Sequence, residues 1–229
     1  MREDPGMTPE KIRVAIVDDQ ELMRSALRMT VESQPDLELV GEAADGHDAL
    51  TIVRGRRVDV VLMDLRMPRL DGIEATGVIC AELPATRVVA LTTFDLDELA
   101  FAAIRAGASA FLLKDARGED IVEAIRIVHA GNSVVAPTTT RRLIEHVATS
   151  PGFDPGRSEA VLDRLTPKEV EVLRHVASGA TNAEIAAVMH LSGTTVKTHV
   201  GHVLAKLGLR DRVQAVVLAY ETGIVRPGT

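Results

Sequence analysis

Four short apolar runs in the first half of the chain, Val14–Val17, Val60–Met63, Val88–Leu91 and Ala110–Leu113, each end in polar residues. Asp18-Asp19, Asp64, Thr92-Thr93 and Lys114-Asp115 come after them in that order. Continuous β-branched and aliphatic runs of this length read as strands buried on both faces, and therefore as a parallel sheet. Strands are predicted at 12–18, 37–43, 58–64, 87–92 and 109–114, with helices at 20–34, 46–55, 71–83, 96–106 and 118–130. The segment 37–43 alternates, Leu37 and Leu39 against Glu38, as a half-exposed edge strand does. Asp45 is placed to cap the second helix, and Asp95 with Glu98 fits a capping box for the fourth. Gly107 and Gly131 stand just past helix ends, where a left-handed residue is needed. Five strands alternating with five helices predict an α/β, doubly wound parallel sheet.

The pattern changes after residue 131. Residues 137–148 predict one more helix, and Pro151 to Ser158 reads as a flexible linker. The remainder of the chain is helical throughout. Thr166-Pro167-Lys168-Glu169 and Thr181-Asn182-Ala183-Glu184 are capping boxes, the first with proline at the first helical position. Val170, Leu173, Val176 and Ala177 form an apolar stripe at helical spacing, and Ile185, Ala186 and Met189 face inward from the next helix. A tight turn at Leu191-Ser192-Gly193 leads to a third helix over 193–207, capped by Ser192 and ended by Gly208. Asp211 caps a fourth over 212–222, ended by Gly223. The chain divides into a domain at 11–131, a linker at 132–160 and an all-α four-helix domain at 161–229.

Charge supports that division. The net charge of -7 splits into -8 over residues 1–157 (18 Lys+Arg, 26 Asp+Glu) and +1 over 158–229 (8 Lys+Arg, 7 Asp+Glu). Two domains with different partners are implied. Cys80 is the single cysteine, which rules out an internal disulfide and fits a reducing compartment. Its position on the third helix, with no His or second Cys at metal spacing, gives it a structural role. No run approaches the roughly 20 apolar residues of a membrane span, and the N-terminus lacks the apolar core of a signal peptide. A cytoplasmic protein is expected.

In a parallel sheet the C-terminal strand ends share one edge, so three carboxylates, a hydroxyl and a lysine converge there. Three carboxylates repel unless a cation sits among them, and oxygen ligands with retained waters suit Mg²⁺. A metal so placed leaves one carboxylate free to attack a phosphoryl group. Lys114 is placed to pair with phosphate or carboxylate oxygens, Thr92 to donate to a phosphoryl oxygen, and Arg66 to offer its main-chain carbonyl to the metal. A flavin- or nucleotide-binding domain of the same topology needs a glycine- or hydroxyl-rich loop after the first strand. Asp18-Asp19-Gln20-Glu21 there repels a phosphate unless a metal intervenes.

Asp18-Asp19, Asp64 with Met67-Pro68 and Asp71-Gly72, Thr92 and Lys114 resemble the receiver domain of bacterial two-component response regulators, a flavodoxin-like fold. The resemblance covers about residues 11–131. It implies that Asp64 is the phosphoacceptor for a sensor histidine kinase, that Asp19 binds Mg²⁺ directly and Asp18 through water, and that Thr92 and Phe111 are the switch residues beside Lys114. Asp115 stands where many receivers have proline.

In the second domain, a short helix, a tight turn and a longer polar helix make a helix-turn-helix whose second helix enters the major groove. Residues 193–207 contain no acid, although the protein is acidic. Val196, Val200, Val203 and Leu207 form the buried stripe, and Lys197, Thr198 and Gly201 face outward, with Thr194 and Thr195 at the helix start. These, with Lys206 toward the backbone, are the candidate DNA contacts. Leu165 through Glu169, Gly179, Asn182, Glu184-Ile185-Ala186, Thr195-Val196-Lys197 and Lys206-Leu207-Gly208 resemble the LuxR-type helix-turn-helix. Joined to a receiver, that pattern is similar to the NarL/FixJ family, which implies a non-enzymatic transcription factor. The family also implies that the last helix dimerises on an inverted repeat, here through Asp211, Val213, Val217 and Tyr220. Gly201 departs from the larger polar residue many members carry.

Other classes fit less well. A phosphoesterase needs a lid, and no long loop flanks the site. A ligand-binding quorum sensor is opposed by the acidic cluster and the scarcity of aromatics. The alternative is a phosphorylation-independent DNA-binding regulator with a receiver-like interaction domain. Two activation routes stay open: release of the DNA-binding helix from the receiver, or receiver dimerisation.

Overall fold

The computed structural model describes residues 10–92, 96–131 and 155–225. The first domain runs β1 (Ile12–Val17), α1 (Glu21–Glu32), β2 (Leu37–Ala43), α2 (Gly46–Gly55), β3 (Val60–Asp64), α3 (Gly72–Glu82), β4 (Arg87–Thr92), α4 (Leu96–Ala106), β5 (Ala110–Leu113) and α5 (Gly118–His129). All strands pair in parallel, in the order β2-β1-β3-β4-β5. Period-two alternation sends Val14 and Ile16 to one face and Ala15 and Val17 to the other, and both faces are apolar. Helices α1 and α5 close the first face through Leu27, Val31, Ile121 and Ile125. Helices α2 and α3 close the second through Leu50, Val53, Ala75 and Ile79. Helix α4 packs Ala100 and Ala103 over Ala90 and Phe111. The order reverses between β1 and β3, which opens a crevice at their C-terminal ends.

Several cap expectations are met. The Asp45 side chain accepts from the Asp48 main-chain N–H, and Gly107 and Gly131 take φ of 112° and 77°. Asp95, the proposed helix at 137–148 and the first part of the linker lie outside the described residues.

The linker reading needs one correction. Residues from Pro155 are helical, forming α6 (Pro155–Leu162). Proline presets the helical φ at a first position, and Val161 and Leu165 are buried where α6 runs into the next domain. That domain consists of α7 (Pro167–Ala177), α8 (Asn182–Met189), α9 (Gly193–Leu207) and α10 (Arg212–Glu221). Both capping boxes form. Its core gathers Val172, Leu173, Val176, Ile185, Met189, Val196, Val203, Val216 and Tyr220. In the turn between α8 and α9 the left-handed residue is His190, at φ 54°, and the next helix starts at Gly193 as expected.

Candidate phosphorylation site and DNA-binding helix

The β1 and β3 ends bring Asp18, Asp19 and Asp64 together, with one carboxylate oxygen from each within 4.8 Å of the others. Asp18 and Asp64 are buried, at 0% and 3% exposure, while Asp19 faces solvent. The β5 end delivers Lys114, whose Nζ lies 2.6 Å from Asp18 Oδ2 and 2.8 Å from Asp64 Oδ2. The cation that three clustered carboxylates need is here the lysine ammonium. Burial disfavours that charge, but hydrogen bonds to Asp18 and Asp64 outweigh it and hold the Lys114 pKa up. Burial pushes the Asp64 carboxyl up, opposed by the Lys114 hydrogen bond and reinforced by the Asp18 charge. The donor set is all oxygen, with one member open to water, as Mg²⁺ coordination requires.

Each group is braced. The Gln20 N–H donates to Asp18 Oδ1 at 2.9 Å, and the Arg66 N–H to Asp64 Oδ1 at 3.2 Å. That second bond orients the Arg66 peptide beside the acidic cluster. Thr92 is buried at 2% exposure, and its carbonyl accepts from the Lys114 N–H at 2.8 Å, so hydroxyl and ammonium are set by one ladder step. Phe111 is buried beneath α4 against Ala100 and Ala103.

Three further residues, Gly72, Arg24 and Arg69, brace the site. A Cβ on Gly72 would stand 1.9 Å from the Asp64 carbonyl oxygen, so only glycine lets α3 start this close to the acidic strand end. Arg24 Nη1 donates to the Asp18 carbonyl at 2.7 Å. Arg69 sits at φ 69° and pairs with buried Asp45, tying the loop after β3 to the cap of α2. The Asp71-Gly72 pair carried a signal for the first, while nothing local marked the other two.

On α9, Thr194, Lys197, Thr198 and Gly201 are exposed on one side, and Val196 and Val203 are buried on the other. Thr195 is half-buried, its hydroxyl 2.8 Å from the capping Ser192 hydroxyl. The Thr198 hydroxyl donates to the Thr194 carbonyl at 3.0 Å. Among the described residues, a Cβ on Gly201 would meet no atom within 4 Å. Lys206 is differently engaged: its Nζ lies 2.6 Å from Glu169 Oε2. The same oxygen accepts from the Thr166 N–H and hydroxyl, and these partners hold the Glu169 pKa down at about 2.

Residues 14–126 match the family described as response regulator receiver domain, and residues 163–219 match bacterial regulatory proteins of the luxR family. A transcriptional regulatory protein of Bacillus subtilis (strain 168), YxjL, is 42% identical over 220 residues, covering 96% of this chain and all of the relative. This chain belongs to the NarL/LuxR family of two-component response regulators. The LiaR transcriptional regulatory protein of the same B. subtilis strain is 37% identical over 93% of this chain and 99% of its own length. Among solved structures, the response regulator ChrA of a heme-sensing two-component system is 32% identical, with TM-score 0.51 over 94% of this chain and 99% of that one. Like other members, this response regulator joins a receiver to a DNA-binding helix-turn-helix that regulates transcription. Among the described residues no helix is long and apolar enough to cross a membrane.

Of the four residues expected at a dimer interface, Val213 and Val217 pack against Phe101 and Ile104 of the receiver in this structure. Asp211 caps α10 and is buried beside Ser109, and Tyr220 lies in the helix-turn-helix core.

Proposed function

We propose that Asp64 accepts a phosphoryl group from a sensor histidine kinase and that the acyl phosphate switches DNA binding. An Asp64 carboxylate oxygen bonds to phosphorus, the P–N bond to the kinase histidine breaks, and the ring nitrogen keeps the electron pair. Asp18, Asp19, Asp64 and the Arg66 carbonyl would hold Mg²⁺, which supplies charge neutralisation for the phosphoryl oxygens. Lys114 then moves its ammonium from the Asp64 carboxylate to a phosphoryl oxygen, remaining paired with Asp18. The Thr92 hydroxyl donates to another phosphoryl oxygen, and Phe111 shifts beneath α4. The observation that carries this reading is the buried Asp18–Lys114–Asp64 cluster, with Asp19 open to solvent beside it.

Downstream, α9 enters the major groove. Thr194, Lys197 and Thr198 reach bases and phosphates, with Thr195 at the helix start and Gly201 allowing close backbone approach. Two copies pairing through α10, by Val213 and Val217 with Asp211 as its cap and Tyr220 supporting from the core, fit an inverted-repeat operator in the cytoplasm.

The test is intact-protein mass after incubation with acetyl phosphate and Mg²⁺, for the native chain and Asp64→Asn. One added phosphoryl group on the native chain alone is expected. No adduct on either, together with no binding of beryllofluoride, overturns the phosphoacceptor role and leaves a phosphorylation-independent DNA-binding regulator.

A further inference from the structure

Three of the four groups proposed to hold Mg²⁺ are side chains, and the fourth is the Arg66 main-chain carbonyl. Asp64 ends β3, and Asp18 and Asp19 directly follow β1, so the parallel ladder fixes all three. The Asp18 N–H donates to the Ala43 carbonyl at 3.1 Å, which carries that ladder one step past β1. The Arg66 carbonyl has no strand to hold it. It belongs to the loop from Leu65 to Asp71, which leaves β3 and enters α3. The loop closes on itself at its ends: the Arg66 N–H donates to Asp64 Oδ1 at 3.2 Å, and the Gly72 N–H to the Leu65 carbonyl at 3.1 Å. Its middle is held from outside.

The outside support is the start of α2. The Gly46 N–H donates to the Leu70 carbonyl at 3.1 Å, and a Cβ on Gly46 would stand 2.8 Å from that oxygen. One residue earlier on each side, Arg69 pairs with Asp45. Asp45 is fully buried, and its Oδ1 accepts the cap bond from the Asp48 N–H at 3.0 Å, which leaves Oδ2 for Arg69. Arg69 holds this pair at φ 69°, a left-handed conformation that a non-glycine residue keeps only where its surroundings over-determine it. Arg54–Glu82 and Arg126–Asp36 each join two exposed groups, and such pairs hold little. Arg69–Asp45 differs because one partner is immobile: Asp45 is buried, caps a helix and follows the strand that pairs with β1.

We propose that Arg69 is a positioning residue for Mg²⁺: through Asp45 it holds the loop after β3 so that the Arg66 carbonyl shares the ion with Asp18, Asp19 and Asp64. This rests on the metal site of the proposed function. Arg69 acts through the loop and not on the ion, and its two effects on the site have opposite signs. As a positive charge on the loop it disfavours a cation. As a clamp it favours one, because a loop already ordered loses no further freedom when the ion binds. The second effect is the larger.

The test is calorimetric titration of the full chain with Mg²⁺, beside urea unfolding without the metal. Arg69→Gly removes the clamp and keeps the left-handed backbone, since glycine adopts that φ freely. Its Mg²⁺ affinity is expected to fall about tenfold, the lower end for a group that supports a metal ligand. Its urea midpoint should stay near the native one, because relief of the backbone offsets the lost ion pair. Asp45→Asn keeps the helix cap, loses the charge and should weaken Mg²⁺ binding by a similar factor. The double variant should bind no more weakly than either single, because both remove one link. Arg69→Lys should recover part of the loss. Native-like binding in Arg69→Gly overturns the role of Arg69, and so does tighter binding, which would leave only its charge. A double variant in which the two losses multiply overturns it too. Asp19→Asn separates the two readings: if the native chain binds no Mg²⁺, or Asp19→Asn binds it equally well, the metal site itself falls and the role of Arg69 with it.

Discussion

Lys114 and Lys206 both end on buried carboxylates, and the contrast between them separates the two halves of this protein. Lys114 is itself buried, at 5% side-chain exposure, and bridges Asp18 and Asp64, which stand 46 residues apart in the sequence. Lys206 keeps 40% of its side chain exposed and holds one acid, Glu169, already satisfied by its own capping box. The first lysine compensates charge between two buried carboxylates. The second fastens α9 to α7. A lysine at the end of a strand and one at the end of a recognition helix invite the same reading, phosphate contact. In this structure the second meets Glu169 Oε2, at 2.6 Å.

The Lys114 bridge is the costlier of the two to remove. Lys114→Met leaves two buried carboxylates facing each other, and a loss of about 3–5 kcal/mol in urea unfolding is expected without divalent cation. Mg²⁺ should stabilise this variant more than the native chain, since the metal takes over the missing positive charge. Equal stabilisation of both proteins would mean that the carboxylates do not hold the ion together.

Glu169→Gln tests the other half. Its loss is expected at roughly 1.5–3 kcal/mol, the range of a hydrogen-bonded charge. The sign with pH comes from the depressed pKa. The stabilisation is complete above the ordinary Glu value of 4.5 and fades as pH falls toward about 2. Unfolding of the native helix-turn-helix measured between pH 5 and 2 should therefore be steeper than that of Glu169→Gln. Parallel curves would remove Glu169 from the acid response.

A smaller effect distinguishes the lysines of α9. Lys197→Ala should weaken operator binding and reduce the slope of log K against log salt by about 1. Lys206→Met should weaken binding while leaving that slope unchanged. A slope change for Lys206 would return it to the DNA contacts. The smallest effect belongs to Gly201, which sits exposed in mid-helix with open space around it. Gly201→Ala should stabilise the free protein by about 0.5–1 kcal/mol. Lower DNA affinity in that variant would show that the phosphate backbone uses the gap.

Much of this molecule was legible because its signals are local. The four strand-end motifs, the two capping boxes, the Ser192 and Asp211 caps and the acid-free helix each lie within a few residues, and side-chain periodicity converts them directly into elements and faces. Linker composition misled at Pro155 because a short helix of low propensity borrows its stability from packing at Val161 and Leu165. Sequence alone also established that Asp18, Asp64 and Lys114 share an edge, since a parallel sheet leaves no other place for its C-terminal ends.

Distance and competition were decided only in three dimensions. Lys114 touches both Asp18 and Asp64, Gly72 admits the backbone of Asp64, and Lys206 belongs to Glu169. These are contacts between different elements, the longest spanning 96 positions, from Asp18 to Lys114, and no local pattern encodes them. The burial of Val213 and Val217 against Phe101 and Ile104 is of the same kind. Residues that pack a helix against a second copy and residues that pack it against a receiver are the same apolar types, so the pattern names the surface and the tertiary structure chooses its occupant.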